Sequence, residues 1–159
     1  MRASTVIASV LGIGYFKIAP GTVMSAVAVP LAFLIASQGG SIALFAASFL
    51  AFGVGVWACG DHVRANGCED PSECVIDELA GQWLACAFAV LPLAGTGALF
   101  LPAFALAFVL FRLFDIWKPW PVSWADQKLE GGFGVMADDM LAGLMAGVVV
   151  IVMRMEVPL

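Results

Sequence analysis

Three short stretches hold the residues whose types and spacing could do chemistry. In FRLFDIWKPWP at 111–121, Arg112, Asp115 and Lys118 stand three apart and are followed by two prolines. Helical residues three apart share a face, so two cations and one carboxylate could meet one small group, and two cations suit an anion. Two acidic pairs, Asp77-Glu78 and Asp138-Asp139, each precede an apolar run. Negative charge at a helix start is favoured by about 0.3–1 kcal/mol, which explains one acid per helix as a cap. A second adjacent carboxylate gains less and adds repulsion. Acids gathered from several helices are instead the pattern of a divalent-metal site. All-oxygen ligation suits Mg²⁺, which takes one or two carboxylates plus phosphate oxygens. Adjacent helical acids point about 100° apart, so one of each pair is expected to ligate while its neighbour caps or supports. Gly131-Gly132-Phe133-Gly134 and Ala19-Pro20-Gly21-Thr22 both run into expected helix starts. Such backbone either makes an ordinary loop or offers free N–H groups to an anion.

The elements that must position these residues are membrane helices. The 159 residues fit one domain spanning 1–159, and 62% are hydrophobic. The mean hydropathy of +1.01 is far above that of a soluble domain. No charge occurs in 18–60 or in 79–111. Each run exceeds one bilayer crossing and is broken near its middle, at Gln38-Gly39-Gly40-Ser41 and at Pro92 with Gly95-Thr96-Gly97. The expectation is an all-α polytopic membrane bundle of about five apolar helices, near 22–37, 41–59, 79–91, 98–111 and 140–153. These segments are somewhat short for full spans. Six of the seven Lys and Arg residues, and eleven of the twelve acids, then fall on one side. The excess of basic residues assigns that side to the cytoplasm, so the polar site is expected at the cytoplasmic boundary.

Composition narrows the function classes. A net charge of −5 leaves no electrostatic case for nucleic acid. It does not exclude an anionic substrate, since local cations or a metal reverse the field of a site. Cys59, Cys68, Cys74 and Cys86 read as free thiols. A zinc set of Cys59, His62, Cys68 and Cys74 fits no common module, and His62 is expected at the surface of the polar segment 60–78. The apolar residues 3–16 and Ala26-Val27-Ala28 imitate a cleavable leader, but Lys17 and Pro20-Gly21 interrupt it. Arg112 would also suit a helix C-terminus, while Trp117, Trp120 and Trp124 read as an interfacial belt.

Four stretches, GIGYFKIAPGT at 12–22, EDPSECVIDELAG at 69–81, FRLFDIWKPWP at 111–121 and GGFGVMADDMLAG at 131–143, together resemble the bacterial phosphatidylglycerophosphatase A family, in the family's order. The resemblance departs at Met24, where the family usually has Gly, and at Cys74, usually aliphatic; Asp70 also stands in a matching motif. It implies a Mg²⁺-dependent, multi-pass phosphatase of the bacterial inner membrane. Its substrate would be the lipid phosphatidylglycerophosphate, converted to phosphatidylglycerol and phosphate. Asp77, Glu78, Asp138 and Asp139 would then hold Mg²⁺, Arg112 and Lys118 would bind the phosphate, and Asp115 would be general base or nucleophile. Backbone at Gly21, Thr22, Gly132 and Gly134 would add weaker contacts to the phosphate. Two rivals are an ion or metal transporter using boundary carboxylates and a non-catalytic membrane scaffold.

Overall fold

Gly39-Gly40, between two uncharged stretches, is where the first long helix must fold back. The computed structural model of the chain describes residues 2–67, 71–92 and 101–156, and among them all regular structure is helical. The helices are α1 (Ala3–Ala8), α2 (Pro20–Asn66), α3 (Ile76–Ala89), α4 (Leu101–Trp117), α5 (Val122–Lys128) and α6 (Gly131–Glu156), with a 3₁₀ turn at Ile13–Tyr15. Unbroken, the 47 residues of α2 would reach about 70 Å. Gly40, at φ 62° and ψ −155°, breaks it into two legs. Residues 19–22 and Val63 line one cavity, so both legs return to the same end. Cys68, Asp70 and the Gly95-Thr96-Gly97 turn lie outside the described residues.

The second leg does not stop near 59 but continues to Asn66, ending at left-handed Gly67. Its polar last turns are held by the N-terminal segment. Ser4 Oγ donates to Asp61 Oδ2 at 2.5 Å, and Thr5 Oγ1 lies 3.1 Å from His62 Nδ1. His62 Nε2 lies 3.1 Å from Glu73 Oε1, which holds the Glu73 carboxyl below its ordinary range. His62 is therefore buried, not at the surface. The Val75 N–H donates to Ala8 O, so the expected leader-like segment is packed into the body of the protein.

α3 is the central post. It contacts α2, α4 and α6 and buries most of its length, including Gln82. A helix apolar on every side is what such a position requires. Among the described residues, only α2 and α6 are long and apolar enough to cross a membrane. With 14 and 17 described residues, α3 and α4 are shorter than a full span. The expectation of about five apolar helices is thus met only as an all-helical bundle. The helices pack through small residues, such as Ala28, Ala80, Ala107 and Ala146, while Leu31, Leu34, Ile42, Leu144, Val148 and Val152 point outward. Small residues inside and large apolar ones outside are the pattern of a bundle in lipid.

Two other boundaries differ from expectation. α4 runs past 111 to Trp117, carrying Arg112 and Asp115 inside the helix, and ends before Pro119. α6 starts at Gly131 rather than after the glycines. Gly132 lies so close to the backbone of Val56 and Gly60 on α2 that a Cβ would overlap it. That close packing outweighs glycine's low helix propensity.

Candidate active site

The site is built at the crossing of α3 and α6. A Cβ on Gly143 would meet Gly81 Cα at 3.1 Å, and one on Gly81 would meet the Asp139 carbonyl oxygen at 2.5 Å and Phe111 Cε2 at 2.6 Å. The two backbones can approach this closely only because both positions are glycine. Asp77 and Asp139 each precede their glycine by four residues, one helical turn. The contact between glycines therefore sets the two acids side by side. The sequence carries a signal for this that single-motif reading missed: D-x-L-A-G occurs at both 77–81 and 139–143.

Carboxylate oxygens of Asp77, Glu78 and Asp139 lie within 4.8 Å of one another. Both acids of the first pair join this cluster, and one of the second. Asp77 Oδ1 also accepts the Glu78 N–H at 2.9 Å; it does not cap α3, whose N-cap is Val75 with no side-chain cap bond. Asp138 and Asp139 lie two turns inside α6, so neither caps it. Glu78 Oε2 and Asp139 Oδ2 are buried without a hydrogen-bond partner, and Asp139 is only 3% exposed. Clustered carboxylates repel unless a proton or cation lies among them. Three of them, two with unpartnered buried oxygens, form an all-oxygen donor set that fits a hard divalent cation.

Asp138 sits apart from that cluster. Its Oδ2 accepts from Lys118 Nζ at 2.9 Å, and Lys118 also donates to Asp126 of α5. Burial opposes the ammonium charge, but the bonds to Asp126 and Asp138 outweigh it and hold the Lys118 pKa above that of an ordinary lysine. Lys118 lies beyond the end of α4 with left-handed backbone, φ 48°. It is thus not on the helical face that its spacing from Arg112 and Asp115 suggests. Those two do share the face: Arg112 Nη1 is 2.6 Å from Asp115 Oδ2. Arg112 Nε has no hydrogen-bond partner, so the guanidinium retains a donor for a ligand beside its ion pair with Asp115.

One cavity of about 640 Å³ collects these groups. It is lined by Asp77, Glu78, Arg112, Asp115, Lys118, Asp138 and Asp139, and by Gly21, Thr22 and Gly134. Gly132, by contrast, is turned against α2. Gly21 makes room for an acid, since a Cβ there would overlap the Glu78 carboxylate. Asp126, Gln127 and Glu130 line the cavity too and were not singled out from sequence. Nothing local marks Asp126; the turn through Lys118-Pro119 brings it close. Among the described residues Cys59, Cys74 and Cys86 are free thiols. His62 is engaged with Thr5 and Glu73, which leaves the zinc set without support.

The match to known proteins covers nearly the whole chain. Residues 6–154 match the family described as phosphatidylglycerophosphatase A. The phosphatidylglycerophosphatase A of Escherichia coli strain K12 is 33% identical over 135 residues, covering 85% of this chain and 74% of that protein. That of Haemophilus influenzae strain Rd is 35% identical over 139 residues, covering 87% and 81%. A Bacteroides thetaiotaomicron protein provisionally named phosphatidylinositol-3-phosphatase is 33% identical over 153 residues, covering 90% and 88%. No solved structure matches. With a carboxylate cluster and two cations facing one cavity, and with relatives of this kind over most of its length, the chain is a phosphatase and belongs to the phosphatidylglycerophosphatase A family.

Proposed function

We propose that the chain hydrolyses the terminal phosphomonoester of phosphatidylglycerophosphate, with Mg²⁺ held by Asp77, Glu78 and Asp139. The observation that carries this reading is the convergence of those three carboxylates within 4.8 Å, in a cavity that also holds Arg112 and Lys118. When bound there, Mg²⁺ supplies charge stabilisation at the phosphate oxygens and acidifies water. Arg112 offers its unpartnered Nε–H to the phosphate, where donors aimed at developing charge contribute most. Asp115, held against Arg112, either takes the proton of an attacking water or itself attacks phosphorus. With water as nucleophile the new bond joins its oxygen to phosphorus and its proton goes to Asp115; with Asp115 as nucleophile the aspartyl–phosphate bond is cleaved by water in a second step. In both routes the bond from phosphorus to the glycerol oxygen breaks, that oxygen leaves as phosphatidylglycerol after taking a proton, and inorganic phosphate is released.

The placement follows from the charges. Arg112 and Lys118 line the cavity beside residues 19–22 and Val63, and the expected topology puts six of the seven basic residues on that side, the side that the positive-inside rule assigns to the cytoplasm. Trp117, Trp120 and Trp124 are exposed in this same region, as interfacial tryptophans are. The reading is a multi-pass protein of the bacterial inner membrane, whose lipid substrate keeps its acyl chains in the bilayer while its headgroup enters the cavity.

Purified protein in detergent should release phosphate from phosphatidylglycerophosphate when Mg²⁺ is present. The Bacteroides relative makes phosphatidylinositol 3-phosphate the competitor to include. A higher kcat/KM on that lipid would move the assignment to it. Ion flux into liposomes without phosphate release from either lipid would replace the enzyme reading with that of a transporter.

A further inference from the structure

We propose that Asp126 is a positioning residue that orients the Lys118 ammonium toward the substrate phosphate, an inference that rests on the reading of Lys118 as a phosphate ligand. Lys118 is poorly placed to orient itself. Its backbone is left-handed at φ 48°, its N–H closes the end of α4 on Phe114 O at 2.9 Å, and its ammonium hangs on a flexible four-carbon stem. An ammonium has three N–H donors. One goes to Asp138 Oδ2 at 2.9 Å and one to Asp126. With two tetrahedral directions fixed by carboxylates on different helices, the third is fixed as well. Lys118, Asp126 and Asp138 all line the same cavity. The two acids are not equivalent: the Asp138 side chain is 11% exposed and that of Asp126 37%. Asp138 anchors the ammonium from inside, and Asp126 holds it from the outer rim, keeping it from swinging into solvent or collapsing onto Asp138 alone.

A stabilising ion pair is the plainer role for Asp126, but a pair this exposed contributes little to stability, too little to explain a large loss of activity. The two roles separate in a double-mutant cycle on the full-length protein in detergent. Asp126→Ala should lower kcat/KM for phosphatidylglycerophosphate by about tenfold, mostly through kcat, with little change in melting temperature. Asp126→Asn, whose amide oxygen still accepts from Nζ, should recover most of that loss, and it stands in if the alanine variant folds poorly. In a Lys118→Ala background, Asp126→Ala should cost nothing further, because a residue acting through Lys118 has no role once the lysine is gone. Independent, additive losses would overturn the proposal, as would a silent Asp126→Ala beside an impaired Lys118→Ala. Wild-type activity in Lys118→Ala itself would instead refute the phosphate role of Lys118 on which the proposal depends.

Discussion

Gly143→Ala tests whether the crossing of α3 and α6 sets the geometry of the acid cluster. The added Cβ would lie 3.1 Å from Gly81 Cα and 3.0 Å from its carbonyl carbon. Both are backbone atoms inside a helix, so neither can turn aside as a side chain would. The same Cβ would also overlap the Gly81 carbonyl oxygen, so restoring ordinary contact requires the helices to part by about 1 Å. Overpacking of this kind costs about 1–3 kcal/mol, which predicts a lower melting temperature. The larger effect is expected in catalysis, because Asp139 rides on α6 one turn from the glycine while Asp77 and Glu78 ride on α3. The whole cluster spans only 4.8 Å, and a misplacement of about 1 Å can cost on the order of 100-fold in rate. The assay is phosphate release against Mg²⁺ concentration, with thermal unfolding in the same detergent. Gly53→Ala is the control, since nothing lies within 4 Å of a Cβ there; it should keep wild-type turnover and Mg²⁺ requirement and melt no lower than wild type, alanine being the better helix former. A Gly143→Ala protein with wild-type turnover and the same Mg²⁺ requirement would refute the argument that this contact sets the spacing of the acids.

Other consequences follow from single side chains. Gly21→Ala should push the Glu78 carboxylate from its place and raise the Mg²⁺ concentration needed for half-maximal activity; an unchanged requirement would remove Glu78 from the metal set. Arg112→Lys keeps the charge facing Asp115 but loses the two-oxygen fork. Its kcat should fall about tenfold, some 1.4 kcal/mol of transition-state stabilisation, while melting temperature holds, and unchanged turnover would return Arg112 to a structural cation. In a cysteine-free background, cysteines introduced at Gly67 and Glu130 should label only from the cytoplasmic side and one at Gly39 only from outside. Labelling on the opposite sides would reverse the placement of the site.

How far the sequence foretold this arrangement depends on whether a feature was local. The break in α2 was legible because Gly39-Gly40 interrupts an uncharged run, and Gly40 is indeed where the helix breaks. The acids were legible as a group because charge is scarce in so apolar a chain. Their division was not: Asp138 and Asp139 are neighbours, yet one pairs with Lys118 and the other joins Asp77 and Glu78. The extension of α2 to Asn66 depends on Ser4 and Thr5, 57 residues away in sequence from Asp61 and His62. The placement of Lys118 depends on a left-handed residue next to proline, for which propensity gives no signal. The start of α6 at Gly131 reflects packing of Gly132 on α2, where tertiary contact overrides a sequence that reads as a turn.

The central claim is that Asp77, Glu78 and Asp139 hold a divalent cation needed for phosphate release. It is tested most directly by titrating Mg²⁺ into chelator-treated wild-type and Asp139→Asn protein while following phosphate released from phosphatidylglycerophosphate. The account predicts no turnover in the chelated wild type, recovery on adding Mg²⁺, and a shift of the Asp139→Asn curve to Mg²⁺ concentrations higher by on the order of tenfold or more. Full activity of the chelated wild-type protein, or superimposable Mg²⁺ curves for the two proteins, would contradict it.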